Sequence, residues 1–151
     1  MADVKSLVKL TTKGAWNGGV KTSVHIRDFA PIVMDEPESL GGTDHGANPM
    51  EYVLAALTGC ASVMISTISK EKNFQYSGVE FENSGVLDVR GLMGVPGVSP
   101  HFQRVRYRVQ LTTEESFERV EELRQEVERR CPVYNMLNDS GVQVDSTWEI
   151  K

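Results

Sequence analysis

Cysteine is scarce in this sequence: among 151 residues there are two, Cys60 and Cys131, 131 − 60 = 71 positions apart. In a reducing compartment so sparse a pair is not expected to be a permanent staple. Histidine is nearly as rare, and none of His25, His45 and His101 stands at ligand spacing from a cysteine, which excludes a structural zinc site and leaves no metal implied. Positive charge is in deficit, 16 Lys+Arg against 21 Asp+Glu for a net −5, so there is no basic surplus to neutralise a phosphate backbone and nucleic acid is excluded as the main partner. No apolar run approaches the ~20 residues of a membrane span. The opening MADVKSLVKLTTKGAW carries no signal-peptide pattern, so a cytoplasmic protein with no membrane partner is expected. What remains is ordinary: 40% hydrophobic and 25% charged residues, in a length that fits a single domain spanning 1–151.

Period-2 alternation marks a strand over residues 3–12, with Val4, Ser6, Val8 and Leu10 on one side. Asn17-Gly18-Gly19 supplies a tight turn, and Val20, Thr22, Val24 and Ile26 resume the alternation, which predicts an N-terminal hairpin. A third strand is expected through Ile32, Val33 and Met34, then a Gly-rich loop over 38–47 in which His45 supports a turn. Asn48-Pro49-Met50-Glu51 is a helix start, with Asn48 as cap, Pro49 in the first turn and Glu51 at the reciprocal capping-box position. The helix should run to about Lys70. Its residues leave almost no polar face before Ser66, which predicts a central, buried helix, short for a span and interrupted by Thr58, Gly59 and Ser62.

Residues 78–89 and 102–111 read as a hairpin. The second strand puts Val105, Tyr107, Val109 and Leu111 on one face and Arg104, Arg106 and Arg108 on a solvent face balanced by an acidic helix. Their link, Gly91 to Val98, mixes glycine with apolar side chains, which suits core closure or a subunit contact. Thr112-x-x-Glu115 is a second capping box, ahead of an amphipathic helix built on Phe117, Val120, Leu123, Val127 and Cys131. Pro132 ends that helix and starts a short one over 132–137 with Cys131 at its cap; Val142 to Ile150 is a final strand, and Tyr52 and Trp148 read as core or interface aromatics.

The two thiols have different settings. Cys60 stands among Ala56, Leu57, Val63 and Met64, an apolar environment that raises a thiol's pKa, but the small residues from Ala55 to Ser62 permit another backbone to pack closely at Gly59. Cys131 heads a helix beside Arg129 and Arg130, which favours its thiolate. From the residues alone, inert buried thiols and a redox pair both stand.

The run from Gly41 to Cys60, GGTDHGANPMEYVLAALTGC, and the run from Cys131 to Leu137, CPVYNML, together resemble the OsmC/Ohr family, the osmotically inducible and organic hydroperoxide resistance proteins. The order of elements is similar over essentially the whole chain. The resemblance implies an α+β fold with antiparallel sheets packed on a long central helix, in an intertwined homodimer. It also implies a thiol peroxidase in the oxidative stress response: Cys60 attacks an organic hydroperoxide, Cys131 condenses with the resulting sulfenic acid, and a dithiol of the lipoyl or thioredoxin type resets the disulfide, with no cofactor. Where the family has glutamate after Asn-Pro this chain has Met50, and it lacks the family's arginine in the early glycine turn; Glu51 and Arg27 are the candidates for supporting roles. Glu128 stands where the family has a histidine three residues before the second cysteine. The alternative is a redox-inert member that binds an apolar small molecule or partner in the dimer cleft, lined by Met50, Met64, Leu92 and Met93.

Overall fold

The computed structural model describes residues 6–151, and the chain divides into two compact units, 1–52 and 53–151. In the first, β1 (Lys13–Trp16), β2 (Thr22–His25) and β3 (Ile32–Met34) form an antiparallel sheet in that order. The glycine turn joins β1 to β2: Gly18 and Gly19 take φ of +94° and +56°, and the Trp16 indole donates to the Gly19 carbonyl at 2.8 Å. The first strand therefore begins later than the alternation at 3–12 suggested. Residues 3–5 lie outside the described residues, and 6–12 hold no strand, with Leu7, Val8 and Leu10 exposed. Alternation marks a strand only where a neighbour lies along it, and β2 is too short to reach back beyond Lys13.

The loop over 38–47 holds one 3-10 turn, Glu38–Leu40, and is organised around Asp35, which is 1% exposed. Its carboxylate accepts the Thr43 hydroxyl at 2.6 Å and the backbone N–H groups of Glu36, Thr43 and His45 at 2.8–3.3 Å. These hydrogen bonds, the Thr43 hydroxyl foremost, hold the carboxyl well below the usual carboxylate range. His45 is turn-supporting as expected; its Nδ1 lies 3.2 Å from Lys21 Nζ and 3.3 Å from Thr43 Oγ1.

Helix α1 (Pro49–Glu71) opens with the capping box read from the sequence: Asn48 Oδ1 accepts from the Glu51 N–H at 2.9 Å, and the Asn48 N–H donates to Glu51 Oε2 at 2.8 Å. At 23 residues α1 is not short for a span; by length and composition alone it would cross a bilayer. It instead buries one stripe, Leu57, Ala61, Ile65 and Ile68, spaced four, four and three, while Val63 on another face is 60% exposed. Among the described residues, burial along it is thus one-sided.

In the second unit β4 (Gly78–Val86) and β5 (Arg104–Thr112) pair antiparallel as expected, and β6 (Gln143–Ile150) pairs parallel with β5. A parallel neighbour needs a long crossover, which α3 (Phe117–Arg130) and α4 (Pro132–Asp139) supply. Val105, Tyr107, Val109 and Leu111 face the core, with Val120, Leu123 and Val127 of α3 and Trp148 of β6 buried as well. On the other face Arg104 pairs with Asp145, and Arg108 with Glu149 at 2.8 Å and Glu82 at 3.2 Å. The arginines are therefore balanced by neighbouring strands rather than by the acidic helix, whose Glu121, Glu126 and Glu128 are taken by its own Arg124 and Arg129.

Two local expectations change. Thr112 is the last residue of β5 and does not cap α3; the cap is Ser116, whose hydroxyl accepts from the Arg119 N–H at 3.3 Å, while Glu115 accepts from the Gln75 N–H. Strand pairing claims Thr112, so the helix starts four residues later. The glycine-rich link does not close the core: it forms the short α2 (Val89–Leu92), capped by Asp88, and leaves Leu92 69% and Met93 80% exposed.

Candidate functional site

Cys60 lies at the middle of α1 and Cys131 at the break between α3 and α4, and both are free thiols. The break follows from Pro132, which cannot continue α3 and whose missing N–H is harmless at the first position of α4. Cys131 accordingly leaves helical geometry, at φ −73° and ψ 114°. Asn135 fastens the bend: its side-chain amide donates to the carbonyls of Glu128 and Cys131 at 2.8 Å each, and to that of Arg129 at 3.3 Å. Two carbonyls of the last turn of α3, those of Glu128 and Arg129, are thereby satisfied from within α4.

The packing of the second unit brings the two thiols together. Cys60 is close enough to act on the Cys131 thiol, and the two differ in access: Cys60 is half-buried, whereas Cys131 is 1% exposed. The turn of α1 ahead of Cys60 is tied to the sheet by Asn83, whose amide donates to Thr58 Oγ1 at 2.8 Å. Among the described residues no close neighbour meets Gly59, where an added Cβ would find open space.

Burial pushes the Cys131 thiol up from an ordinary 9.0 to about 11, opposite to the direction expected of a helix N-terminus flanked by arginines. The N–H groups of Tyr134 and Val133 do favour the thiolate, but the thiol makes no cap hydrogen bond, and the nearby Cys60 raises it further. The arginines are engaged elsewhere: Arg129 with Glu126 at 2.8 Å, and Arg130 with Glu71 at 2.6 Å. Desolvation wins because one small thiol is enclosed while the guanidinium groups spend their charge on carboxylates.

Around the pair stand groups to which sequence reasoning assigned no site role. Tyr107 of β5 packs its ring 6.0 Å from Tyr134 and edge-on to Trp148 at 6.3 Å. Glu128, half-buried, holds Arg124 at 3.1 Å, accepts the Ser146 hydroxyl, and adds to burial in raising the Tyr134 phenol pKa. The only sequence signal for Tyr107 was its place on the buried face of a strand, which a plain core residue shares.

The two further candidates lie in the 1–52 unit. Glu51 is committed to the capping box, and Arg27, at a positive φ of 49°, holds its guanidinium over the Phe29 ring at 4.6 Å. Of the apolar candidates, Leu92 and Met93 are exposed while Met50 and Met64 are half-buried. Among the described residues no group of three His, Cys, Asp or Glu side chains is placed to hold a metal ion.

A paired half-buried and buried cysteine, the first on a long helix and the second at a proline-broken helix junction over a mixed sheet, defines an α+β protein with a dithiol site. The chain belongs to the OsmC-like protein family, whose model matches residues 42–147. The fold is shared with an OsmC like protein from Mycoplasma pneumoniae, 16% identical, with a TM-score of 0.82 over 95% of this chain and 97% of that one. It is shared also with an organic hydroperoxide resistance protein from Elizabethkingia anophelis, 16% identical, TM-score 0.78, covering 98% and 100% of the two chains. An organic hydroperoxide resistance protein OsmC from Legionella pneumophila is similar as well, 19% identical, TM-score 0.72, covering 97% and 99%. A comparison with curated proteins finds no match.

Proposed function

We propose that the protein reduces organic hydroperoxides by a two-cysteine cycle, as a homodimer in the cytoplasm. The observation that carries the reading is the asymmetry of the pair: an accessible Cys60 beside an enclosed Cys131. Cys60 thiolate attacks the terminal peroxide oxygen, the O–O bond breaks, and the alkoxide takes a proton to leave as alcohol; the sulfur is oxidised to sulfenic acid by two electrons and the peroxide is reduced by two. Cys131, as thiolate, then attacks Cys60 sulfur, the S–O bond breaks, and hydroxide leaves as water with the proton that Cys131 gave up. A dithiol reductant of the lipoyl or thioredoxin type returns both thiols by exchange and is itself oxidised to its disulfide. The names of the Elizabethkingia and Legionella neighbours support the substrate class.

The homodimer is supported by large apolar side chains left in solvent, among them Leu10 at 89%, Leu92 at 69% and Met93 at 80%. Exposed Leu92 and Met93 also favour the second reading, an OsmC-like protein that binds an apolar molecule or partner without redox chemistry. One experiment separates the two. Dithiol-dependent consumption of cumene hydroperoxide is expected in the native protein and abolished in Cys60→Ser; equal consumption in both refutes the cycle.

A further inference from the structure

Asparagine is disfavoured in strands, yet Asn83 stands on the inward face of β4 with Val79, Phe81 and Gly85. Its side chain reaches across to α1: Nδ2 lies 2.8 Å from Thr58 Oγ1 and 3.4 Å from the Leu54 carbonyl oxygen. A carbonyl only accepts, so the nitrogen end of the amide must face the helix and Oδ1 must face away from it. That Oδ1 is buried without a partner among the described residues, as is the hydroxyl of Tyr107, its neighbour in register on β5. Leucine would fill nearly the same space and bury no unsatisfied acceptor, so a polar side chain here calls for a reason. The hydrogen bonds it does make go to one turn of α1, the turn that leads into Cys60.

At about 100° per residue, Thr58 and Cys60 lie about 80° to either side of the line midway between Leu57 and Ala61. Leu57 and Ala61 are both fully buried, so that line marks the direction of the core. One flank of α1 is thus hydrogen-bonded to β4 through Thr58, and the other carries the thiol. A roll of about 20° would move an atom ~5 Å from the helix axis by roughly 2 Å, and a disulfide tolerates little error in the separation of its two ends. We propose that Asn83 is a positioning residue for Cys60: by holding Thr58 it fixes the roll of α1 and so sets Cys60 sulfur for attack by Cys131. The inference rests on the two-cysteine reading and concerns its second step. There Cys131 thiolate attacks Cys60 sulfur, the S–S bond forms as the S–O bond of the sulfenic acid breaks, and hydroxide leaves as water with the proton that Cys131 gave up. Asn83 exchanges neither proton nor electron in the step; it acts through the helix.

The test pairs Asn83→Leu with Thr58→Val, each of which removes one side of the hydrogen bond and keeps nearly the same shape. In the full-length protein, mixed rapidly with one equivalent of cumene hydroperoxide at pH 7, each is expected to slow disulfide closure about tenfold, and the double variant no further than either alone. Formation of the Cys60 sulfenic acid, trapped with dimedone, should keep its native rate, because peroxide meets the half-open thiol from solvent. Thr58→Ser, which keeps the acceptor, should close as the native protein does. The reduction potential of the Cys60–Cys131 disulfide, measured against a dithiol buffer, should rise by about 30 mV in the two slow variants, the same tenfold expressed for two electrons. Unchanged closure in Asn83→Leu and Thr58→Val overturns the proposal, and so does equal slowing of both steps, which a general loosening of the fold would give. If Asn83→Leu folds poorly, the contrast of Thr58→Val with Thr58→Ser decides alone. Failure of Cys60 to form a dimedone-reactive sulfenic acid in the native protein would instead overturn the two-cysteine reading, and the proposal with it; that failure shows at the first step, before closure is measured.

Discussion

Cys60 is a neighbour of Cys131 and acts on its thiol, the first half-open to solvent and the second enclosed. The difference in access assigns them different first reactions. Treatment with one equivalent of hydroperoxide is expected to consume both thiols of the native protein with a gain of one intramolecular disulfide. Cys131→Ser should stop at a sulfenic acid on Cys60 that dimedone traps, and Cys60→Ser should leave Cys131 free. Alkylation of both thiols after peroxide treatment of the native protein contradicts the assignment.

The raised Cys131 pKa makes closure depend on pH. Below about 11 the thiolate fraction rises tenfold per pH unit, so closure at saturating sulfenic acid should accelerate by about that factor between pH 7 and 8. A flat profile over that range would show that the enclosed thiol does not limit the step.

The same shift bears on stability of the reduced protein. The folded-state pKa lies above the ordinary 9.0, so between pH 9 and about 11 the unfolded chain has released the proton while the native chain keeps it. The unfolded state then binds fewer protons, and stability falls as pH rises through that window. A loss on the order of 2 kcal/mol is expected, read from urea midpoints at pH 8.5 and 11. The Cys131→Ala variant, destabilised overall by the cavity, should show a smaller decline than the native protein.

Asn135 holds three carbonyls at the α3–α4 junction. Asn135→Ala removes the side-chain donor from the carbonyls of Glu128 and Arg129, while that of Cys131 keeps the backbone N–H of residue 135 at 3.0 Å, and should cost about 1–2 kcal/mol in chemical denaturation. Closure should slow as well, because Cys131 loses the tie that sets its position. Asn135→Asp is a sharper probe, since a carboxylate cannot donate to carbonyls.

Asp35 organises the loop after β3 through the Thr43 hydroxyl and three backbone amides. Its carboxyl is held below the usual range, so its stabilising effect is complete above the ordinary pKa of 3.8 and fades as pH falls below it. In Asp35→Asn the amides of Thr43 and His45 should lose roughly tenfold in hydrogen-exchange protection at neutral pH. Unchanged protection would mean the loop is held by other contacts.

Features that depend on a few adjacent residues were legible in the sequence. The Asn48–Glu51 box, the Gly18-Gly19 turn, the alternation of β5 and the Cys131-Pro132 break all appear where the residues placed them, because each is decided by groups within one turn or one strand. The motifs around the two cysteines carried the family. The Thr112 box failed for a non-local reason, since pairing with Gly78 claims Thr112 for β5 and leaves the cap to Ser116.

The character of the site was decided only in three dimensions. The residues around Cys131 argue locally for a stabilised thiolate; the fold instead encloses the sulfur, sends Arg129 and Arg130 to carboxylates, and raises the thiol. Parallel pairing of β6 with β5 registers Ser146 beside Tyr107, while Ser146 bonds Glu128 from α3. Periodicity can assign a side chain to a buried face, but which other groups share that face is set by the packing of segments far apart in the chain. Desolvation is a sum over those groups, so the sequence could name the two thiols, and only the tertiary structure could make one of them open and the other closed.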